Sequence, residues 1–237
     1  MSVSHLWCML RSWSLGLTFM SNLSVYKDNS LIDASYKLNT QAQKLILCCL
    51  ARLDSRGEIS KQVTISAIEF AELMGIDPKN SHRELYKAAD SLFDAEITIK
   101  ENGKLSRLRW VQKSVEKHDG AGEVTLVWSD DVVKYISVLQ ERFTGYKIRN
   151  IALLQSAHSI RVYELLMRFK STGERAIHLD DFKSALGVLG KYSDFKAFNR
   201  DVLKKSINEL NLKTDLTVSC EPIKKGRKVT GLAFSFK

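Results

Sequence analysis

The stretch of sequence that decides the fold runs from Tyr192 to Phe236. Its first part, Tyr192–Asn211 (YSDFKAFNRDVLKKSINELN), predicts one amphipathic helix, and its second part, Leu216–Phe236 (LTVSCEPIKKGRKVTGLAFSF), predicts a β-hairpin with a basic tip. A winged-helix module binds DNA with such a helix, packed on the core by its apolar side, and with a basic hairpin beside it. The pattern therefore favours a nucleic-acid-binding module at this end of the chain.

The predicted helix has one apolar stripe and one basic face. The stripe is formed by Phe195, Phe198, Val202, Ser206 and Leu210, with Leu203 and Ile207 at its edge. This helical spacing predicts that the stripe packs on the domain core. Lys196, Arg200 and Lys204 recur every fourth residue on the other side. A solvated helix face without a partner is the alternative interpretation of these cations.

The residue types on the basic face suggest a division of roles. Residues at the start of a recognition helix meet base edges, and Arg suits guanine as Asn suits adenine. Asn199 and Arg200 are therefore the candidates for reading bases, while Lys204, further along, is expected to meet phosphate. The hairpin tip adds four cations within five residues, which favours a contact with phosphates or the minor groove. The candidate DNA-binding residues of this module are Lys191, Ser193, Lys196, Asn199, Arg200, Lys204, Lys224, Lys225, Arg227 and Lys228.

The same order of elements recurs earlier in the chain, which indicates a duplicated winged helix-turn-helix. Helical patterns come first, then turn signals and strands, in both halves. The first copy is predicted as helices at Asn39–Leu53, Ser66–Met74 and Asn80–Phe93, a hairpin of Ile97–Ile99 and Arg107–Val115 around Asn102-Gly103, and Glu123–Trp128 after a turn at Gly120–Gly122; the second as Ser159–Phe169, Leu179–Leu186, Tyr192–Asn211 and the final hairpin. Ile97–Ile99 and Leu216–Val218 are taken as equivalent strands. The predicted fold class is α+β, with two tandem winged-helix domains.

The domain boundaries follow from this repeat. Residues 1–24 are predicted to be an extension outside the fold, and residues 1–19, which precede Met20, are interpreted as an upstream extension of the reading frame. Residues 25–128 form the first predicted domain and residues 129–237 the second. The candidate DNA contacts of the first domain are Lys79, His82, Arg83 and Lys87. Since Glu84 and Asp90 dilute this surface, its DNA contact is expected to be weaker, with protein contact as its other role.

Composition and charge agree with a polyanionic partner. The net charge is +9, and residues 150–237 hold 16 Lys/Arg against 9 Asp/Glu. A basic surface of this kind neutralises phosphates. The four cysteines form no C-x-x-C pair, which favours buried thiols in a reducing cytoplasm and neither zinc nor disulfides. No apolar run is long enough to span a membrane, so no membrane contact is expected.

Catalytic interpretations have little support in the sequence. His158 and Arg161 match the H-x-x-R fragment of tyrosine recombinases, with Tyr163 and Tyr192 as possible nucleophiles, which leaves a DNA strand-transfer enzyme as an alternative. The five histidines contain no pair at the i, i+2 spacing that a rolling-circle nickase uses for its metal, and no Walker A loop is present. We therefore expect no enzyme activity, no metal and no cofactor.

Four phrases in order resemble the iteron-binding plasmid replication initiators. They are Asn29–Leu38 (NSLIDASYKL) with the following Gln-x-x-Leu-Ile helix, Ser159–Leu165, Phe195–Asn211, and Lys225–Val229 with Phe234–Phe236. The resemblance spans about Val25 to Phe236, and residues 1–19 have no counterpart in it. It implies two winged-helix domains with pseudo-two-fold symmetry and Lys196, Asn199 and Arg200 as the principal base readers.

The resemblance also implies partners. Monomers would bind directly repeated iterons in double-stranded origin DNA and help to open the duplex. Dimers, formed mainly through the first domain, would bind an inverted repeat and repress the initiator's own gene. The host replication initiator, helicase and chaperones would be further partners. A dedicated transcriptional repressor with tandem winged helices, without a replication role, remains the alternative within the same class.

Overall fold

The computed structural model describes residues 23–54, 57, 59–101, 103–120, 122–137 and 143–237. Residues 1–19, interpreted above as an upstream extension, lie outside these ranges. The predicted turn residue Asn102 lies outside them as well. The strands are β1 (Ser24–Asp28), β2 (Ser35–Tyr36), β3 (Gln62–Ser66), β4 (Glu96–Glu101), β5 (Lys104–Arg109), β6 (Val111–Lys117), β7 (Glu123–Trp128), β8 (Phe143–Lys147), β9 (Glu174–His178), β10 (Val218–Lys225) and β11 (Lys228–Phe236).

The helices lie before, between and after groups of these strands. They are α1 (Asn29–Asp33), α2 (Thr40–Ala51), α3 (Ala67–Met74), α4 (Ser81–Asp94), α5 (Asp130–Val133), α6 (Arg149–Ala152), α7 (Ala157–Met167), α8 (Leu179–Ala185), α9 (Phe195–Phe198) and α10 (Lys204–Lys213). A π-helical turn, Asn199–Leu203, joins α9 to α10 without a break. We call these three consecutive segments the C-terminal helix.

Two three-stranded sheets with the same strand order demonstrate the duplication. In the first unit the order is β3-β7-β6, and in the second it is β9-β11-β10, antiparallel throughout. Each sheet accompanies three helices: α2, α3 and α4 in the first unit, and α7, α8 and the C-terminal helix in the second. Each unit therefore has the helix-strand-helix-helix-hairpin order of a winged helix, and the predicted fold class is confirmed.

The predicted equivalence of Ile97–Ile99 with Leu216–Val218 is wrong. Strand β4, which contains Ile97 and Ile99, pairs with β2 and β5 in a separate sheet, while β6 and β7 form the hairpin that corresponds to β10 and β11. The predicted return strand Arg107–Val115 is split at Trp110, which is fully buried and packs edge-on against Tyr36. Burial of this large ring turns the chain from one sheet into the other.

The prediction of a single helix over Tyr192–Asn211 is only partly right. The helix begins at Phe195, because the side chain of Asp194 accepts a hydrogen bond from the amide of Ala197 (2.7 Å) and caps it. It continues through the π turn to Lys213. Helix α2 is capped by the side chain of Asn39, which accepts a hydrogen bond from the amide of Ala42 (2.8 Å).

The two units meet closely at Gly187, where a side chain would not fit. Gly187 has φ +66°, and a Cβ built on it would lie 2.6 Å from the carbonyl oxygen of Tyr36 in the first unit. We expect Gly187→Ala to lower the free energy of unfolding by about 2–3 kcal/mol, through the left-handed backbone and the clash together. Urea denaturation measures the change.

Gly190 provides the matched control for this substitution. It has φ +79°, but a Cβ there would meet nothing within 4 Å. Gly190→Ala should therefore show only the backbone cost of about 1 kcal/mol. Equal losses for the two variants would mean that the contact between the units does not constrain Gly187.

Candidate nucleic-acid interface

The C-terminal helix buries the predicted apolar stripe. Phe198, Val202, Ser206 and Leu210 are buried, as is the edge residue Leu203, while Phe195 and Ile207 are half-buried. The ring of Phe198 packs edge-on against Phe182 of α8 and against Tyr192. This packing fixes the rotation of the helix, so that its opposite side faces solvent.

The candidate DNA-binding residues of this region lie on the solvent side. Lys191, Ser193, Lys196, Arg200 and Lys204 are exposed, and Asn199, in the π turn, is half-buried. Lys205, which the every-fourth-residue spacing left out, is exposed as well. The adjacent Lys204-Lys205 pair was the sequence signal that could have identified it.

Arg200 is held by its neighbour. Its Nε and Nη2 donate to the two carboxylate oxygens of Asp201 at 2.7 and 2.9 Å, although its side chain is 72% exposed. This pair occupies the Nε–Nη2 edge of the guanidinium, and the Nη1–Nη2 edge carries a second pair of donors of the kind that suits a guanine.

The hairpin of β10 and β11 carries the predicted basic tip, and we call it the second wing. Lys224 pairs with Val229 and Lys225 with Lys228, and the turn passes through Gly226 at φ +62°. The cations Lys224, Lys225, Arg227 and Lys228 are all exposed. Within the described part of the chain none of these four has a carboxylate within salt-bridge distance, so their charge is available to an external anion.

A groove of about 1230 Å³ separates the second wing from the start of the C-terminal helix. The wing contributes Lys224, Arg227 and Lys228, and the opposite wall includes Tyr192, Ser193 and Asp194; the α8 side adds Asp180 and Asp181. The wall formed by the wing is thus cationic, whereas Asp180, Asp181 and Asp194 place carboxylates on the rest of the lining. This difference favours a polyanion lying against the wing.

The first unit presents a similar but less basic surface on α4. Lys79, His82, Arg83 and Lys87 are exposed, and Arg83 donates to Glu84 (3.2 Å) and to Asn80 (2.9 Å). The internal pairing of Arg83 reduces the charge that this face offers. Lys79 lies in the 3-10 turn before α4, and His82, Arg83 and Lys87 lie in the first two turns of α4.

The sequence missed the first wing, which is the hairpin of β6 and β7. The hydroxyl of Tyr86 on α4 donates to the carbonyl of Lys117 (2.9 Å), and its ring lies 4.4 Å from that of His118. Lys113, Lys117 and His118 are exposed on this hairpin. They were overlooked because the first hairpin was assigned around Asn102-Gly103 instead.

The residues of the recombinase-like fragment have structural roles. Arg161 is fully buried and bonded to main-chain carbonyls, and the hydroxyl of Tyr163 donates to Asp215 (2.9 Å). Burial lowers the pKa of His158, and Lys191 lowers it further. Arg161 and Tyr163 are therefore engaged by partners within the protein.

Neither a metal site nor a membrane-spanning helix is found among the described residues. Across the ranges that the structure describes, no group of three or more His, Cys, Asp or Glu side chains is arranged to hold a metal ion. Within the same ranges, no helix combines the length and apolar character needed to cross a bilayer.

Comparison with known proteins identifies the family. The sequence model of the protein family described as Initiator Replication protein, WH1, matches residues 24–167. The family model described as Initiator Rep protein, WH2, matches residues 178–236. A replication initiation protein of Escherichia coli is 30% identical, over 91% of this chain and 70% of its own length. The PI protein of Escherichia coli is 26% identical, over 88% and 80%.

A solved structure supports the same assignment at the level of the fold. The crystal structure of the Pi initiator protein in complex with iteron DNA matches with a TM-score of 0.79 at 24% identity, covering 91% of this chain and 97% of that one. It shares the two-unit architecture described above. The chain therefore belongs to the family of initiator replication proteins and contains its WH1 and WH2 winged-helix domains.

Proposed function

We propose that this protein is a plasmid replication initiator that binds directly repeated iterons in double-stranded origin DNA and promotes opening of the origin. The observation that carries the proposal is the second wing, whose four exposed cations stand beside the solvent face of the C-terminal helix. Because the similar Pi initiator was solved with iteron DNA, the same class of ligand is the first to test.

The exposed residues divide into two groups by chemistry. Asn199 and Arg200, with Lys196, are proposed to read base edges, since bidentate donors and acceptors discriminate bases. The lysines and Ser193 are proposed to bind phosphates, which fixes the register of the protein without reading sequence. The residues in this second group are Lys191, Ser193, Lys204, Lys224, Lys225, Arg227 and Lys228.

Arg200→Ala is expected to weaken binding to the cognate repeat by about 1–3 kcal/mol and to relax specificity at one base position. The reason is the loss of a bidentate contact that a scrambled sequence does not offer. Equilibrium titrations measure the effect on a cognate duplex, taken from the DNA that flanks this gene, and on a duplex with the same bases in scrambled order.

Lys225→Ala is the comparison variant for Arg200→Ala. It should weaken binding to both duplexes alike and reduce the salt slope by about one unit, as expected of a phosphate contact. If Arg200→Ala left the ratio of cognate to scrambled affinity unchanged, the C-terminal helix would not be the element that reads sequence.

We further propose a second DNA-bound state. Monomers would occupy the iterons, whereas dimers, formed mainly through residues 25–128, would bind an inverted repeat and repress the initiator's own gene. Residues 129–237 would then provide the main DNA recognition. Host replication initiator, helicase and chaperones are the proposed protein partners.

The DNA beside the gene distinguishes an initiator from a dedicated repressor. Direct repeats, together with strand opening detected by permanganate reactivity when the protein is added, would support the initiator. A lone palindrome without strand opening would instead indicate a tandem winged-helix repressor. Covalent protein–DNA adducts that disappear in Tyr163→Phe or Tyr192→Phe would indicate a strand-transfer enzyme.

A further inference from the structure

The buried guanidinium of Arg161 joins one helix end from each winged-helix unit. Arg161 lies on α7, which packs against α2 of the first unit and α10 of the second. We propose that Arg161 is the positioning residue that fixes the orientation of the two units, and with it the spacing between the DNA segments that they contact. The part that concerns DNA rests on the proposed function.

The donors of Arg161 reach both units. Its Nη2 donates to the carbonyls of Ile32 (2.8 Å) and Ala34 (3.0 Å), at the end of α1. Its Nε and Nη2 also lie 3.3 Å from the carbonyl of Ala185, the last residue of α8. Helix C-termini leave carbonyls without partners, and a cation there is favourable. Arg161 therefore caps two helices that belong to different units.

The guanidinium is held in one orientation by further contacts. Its Nη1 donates to Glu164 and to the hydroxyl of Tyr36, both at 2.6 Å, and its Cζ lies 4.1 Å from the centre of the Tyr36 ring. The side chain is 1% exposed. Because an arginine presents its five N–H donors in a rigid plane, occupying them from several sides fixes both position and angle.

The strip of contact beside Arg161 is one part of a wider contact between the units, in which α7 also packs on α2 and Lys27 and Asp33 pair with Glu164 and Arg175. The hydroxyl of Ser35 in β2 donates to the carbonyl of Ser184 in α8 (2.6 Å), and Gly187 approaches Tyr36 at the same place. Clefts of about 470 and 690 Å³, each lined by residues of both units, flank this strip. Arg161 bonds to Tyr36, which lines the first cleft, and to Ala34 and Ala185, which line the second. It therefore lies where the two units meet between the clefts, with donors occupied from both units.

The distance between the units can be measured without DNA. Spin labels on Asp90→Cys in α4 and Asn208→Cys in α10, both exposed, report this distance by pulsed electron resonance when Cys8 and Cys220 are replaced by serine. We expect one narrow peak for the parent and loss of that single peak in Arg161→Met. Lys183→Met is the control, because Lys183 is a buried cation that donates within the second unit, to the carbonyl of Tyr192 (3.3 Å).

A milder variant keeps the test decisive if Arg161→Met does not fold. Arg161→Lys retains the charge beside Glu164 but cannot reach carbonyls on two sides at once. Arg161→Lys should widen the peak in the distribution of label distances, while Lys183→Met should leave that peak narrow. An unchanged peak in Arg161→Lys, or in a folded Arg161→Met, would overturn the proposal, as would equal widening in Lys183→Met.

The consequence for DNA is measured on two duplexes. One carries the sequence that the parent protects from nuclease, and the other has about five base pairs, half a helical turn, inserted between the parts protected by each unit. The parent should lose at least about 10-fold in affinity on the second duplex, because linked modules lose avidity when the geometry is wrong. Arg161→Lys should lose less than about 3-fold, and equal losses would refute the spacing role. If no duplex is bound, the proposed function fails, while the label distances still decide the orientation role.

Discussion

Replacement of Lys224, Lys225, Arg227 and Lys228 by alanine is expected to weaken binding to the cognate DNA on the order of 10³-fold at 0.1 M salt. Each cation that displaces a counterion adds about 0.9 to the slope of log K against log salt, so the slope should fall by about 3–4. All four side chains are exposed on the second wing, and no salt bridge in the described part of the chain has to be broken before they bind. The loss is therefore not offset by an internal gain.

The measurement is a set of titrations between 50 and 200 mM salt on cognate and scrambled duplexes. The ratio of the two affinities should change little, since phosphate contacts carry no sequence information. A charge-matched control removes four exposed lysines away from the wing, namely Lys100, Lys104, Lys170 and Lys237. A similar loss of slope in both variants would show that general charge, rather than the wing, binds the DNA.

The second unit could be predicted well because its signals are local. The buried stripe of the C-terminal helix follows from its spacing, and the turn of the second wing follows from Gly226 between pairs of cations. Only the start of the helix was misplaced, since the capping role of Asp194 competes with continuing the helix backwards to Tyr192. The site here depends on residues that are close in sequence.

The first wing could not be predicted because strand pairing over long distances decides it. Two hairpins lie between residues 96 and 128, and the local sequence does not determine which of them pairs with β3. In the structure β3 pairs with β7, while β4 pairs with β2, a strand some sixty residues earlier. Loop closure and core packing choose between such pairings, and neither is visible in a short window.

The contact between the units was hidden for the same reason. Lys27 and Glu164 lie 137 positions apart, yet the Lys27 Nζ is 2.6 Å from the Glu164 carboxylate. From the sequence, Arg161 could be noticed only as part of a four-residue fragment with His158. Its role follows from which carbonyls surround it, and those belong to α1 and α8.

Glu164→Gln is expected to lower the free energy of unfolding by about 3–5 kcal/mol, the cost of breaking a buried ion pair. Glu164 is fully buried between Lys27 and Arg161, each with a nitrogen 2.6 Å from its carboxylate. Neutralising the acid leaves two buried cations without a counter-charge. Urea denaturation measures the loss, and Glu174→Gln, at an exposed position on β9, is the control that should stay within about 0.5 kcal/mol of the parent.

A second substitution tests whether the unpaired charge is the cause. In Glu164→Gln, Lys27 and Arg161 repel each other in a low-dielectric environment. Adding Lys27→Met removes one of these cations, so the double variant should be less destabilised than the sum of the two single variants. Strict additivity would mean that the loss comes from packing and not from charge.

The pH dependence of stability is an independent test of the contribution of the Glu164 carboxylate. Burial alone raises the pKa of Glu164, but Lys27 and then Arg161 lower it more, so that it falls from 4.5 to about 2. Because the folded pKa lies below the unfolded one, the carboxylate stabilises the protein fully above about pH 5, and this contribution is lost as the pH falls toward 2. The parent should therefore lose stability steeply across this window, and Glu164→Gln should lose less. Parallel curves for the two proteins would show that Glu164 is not the group whose protonation destabilises the junction between the units.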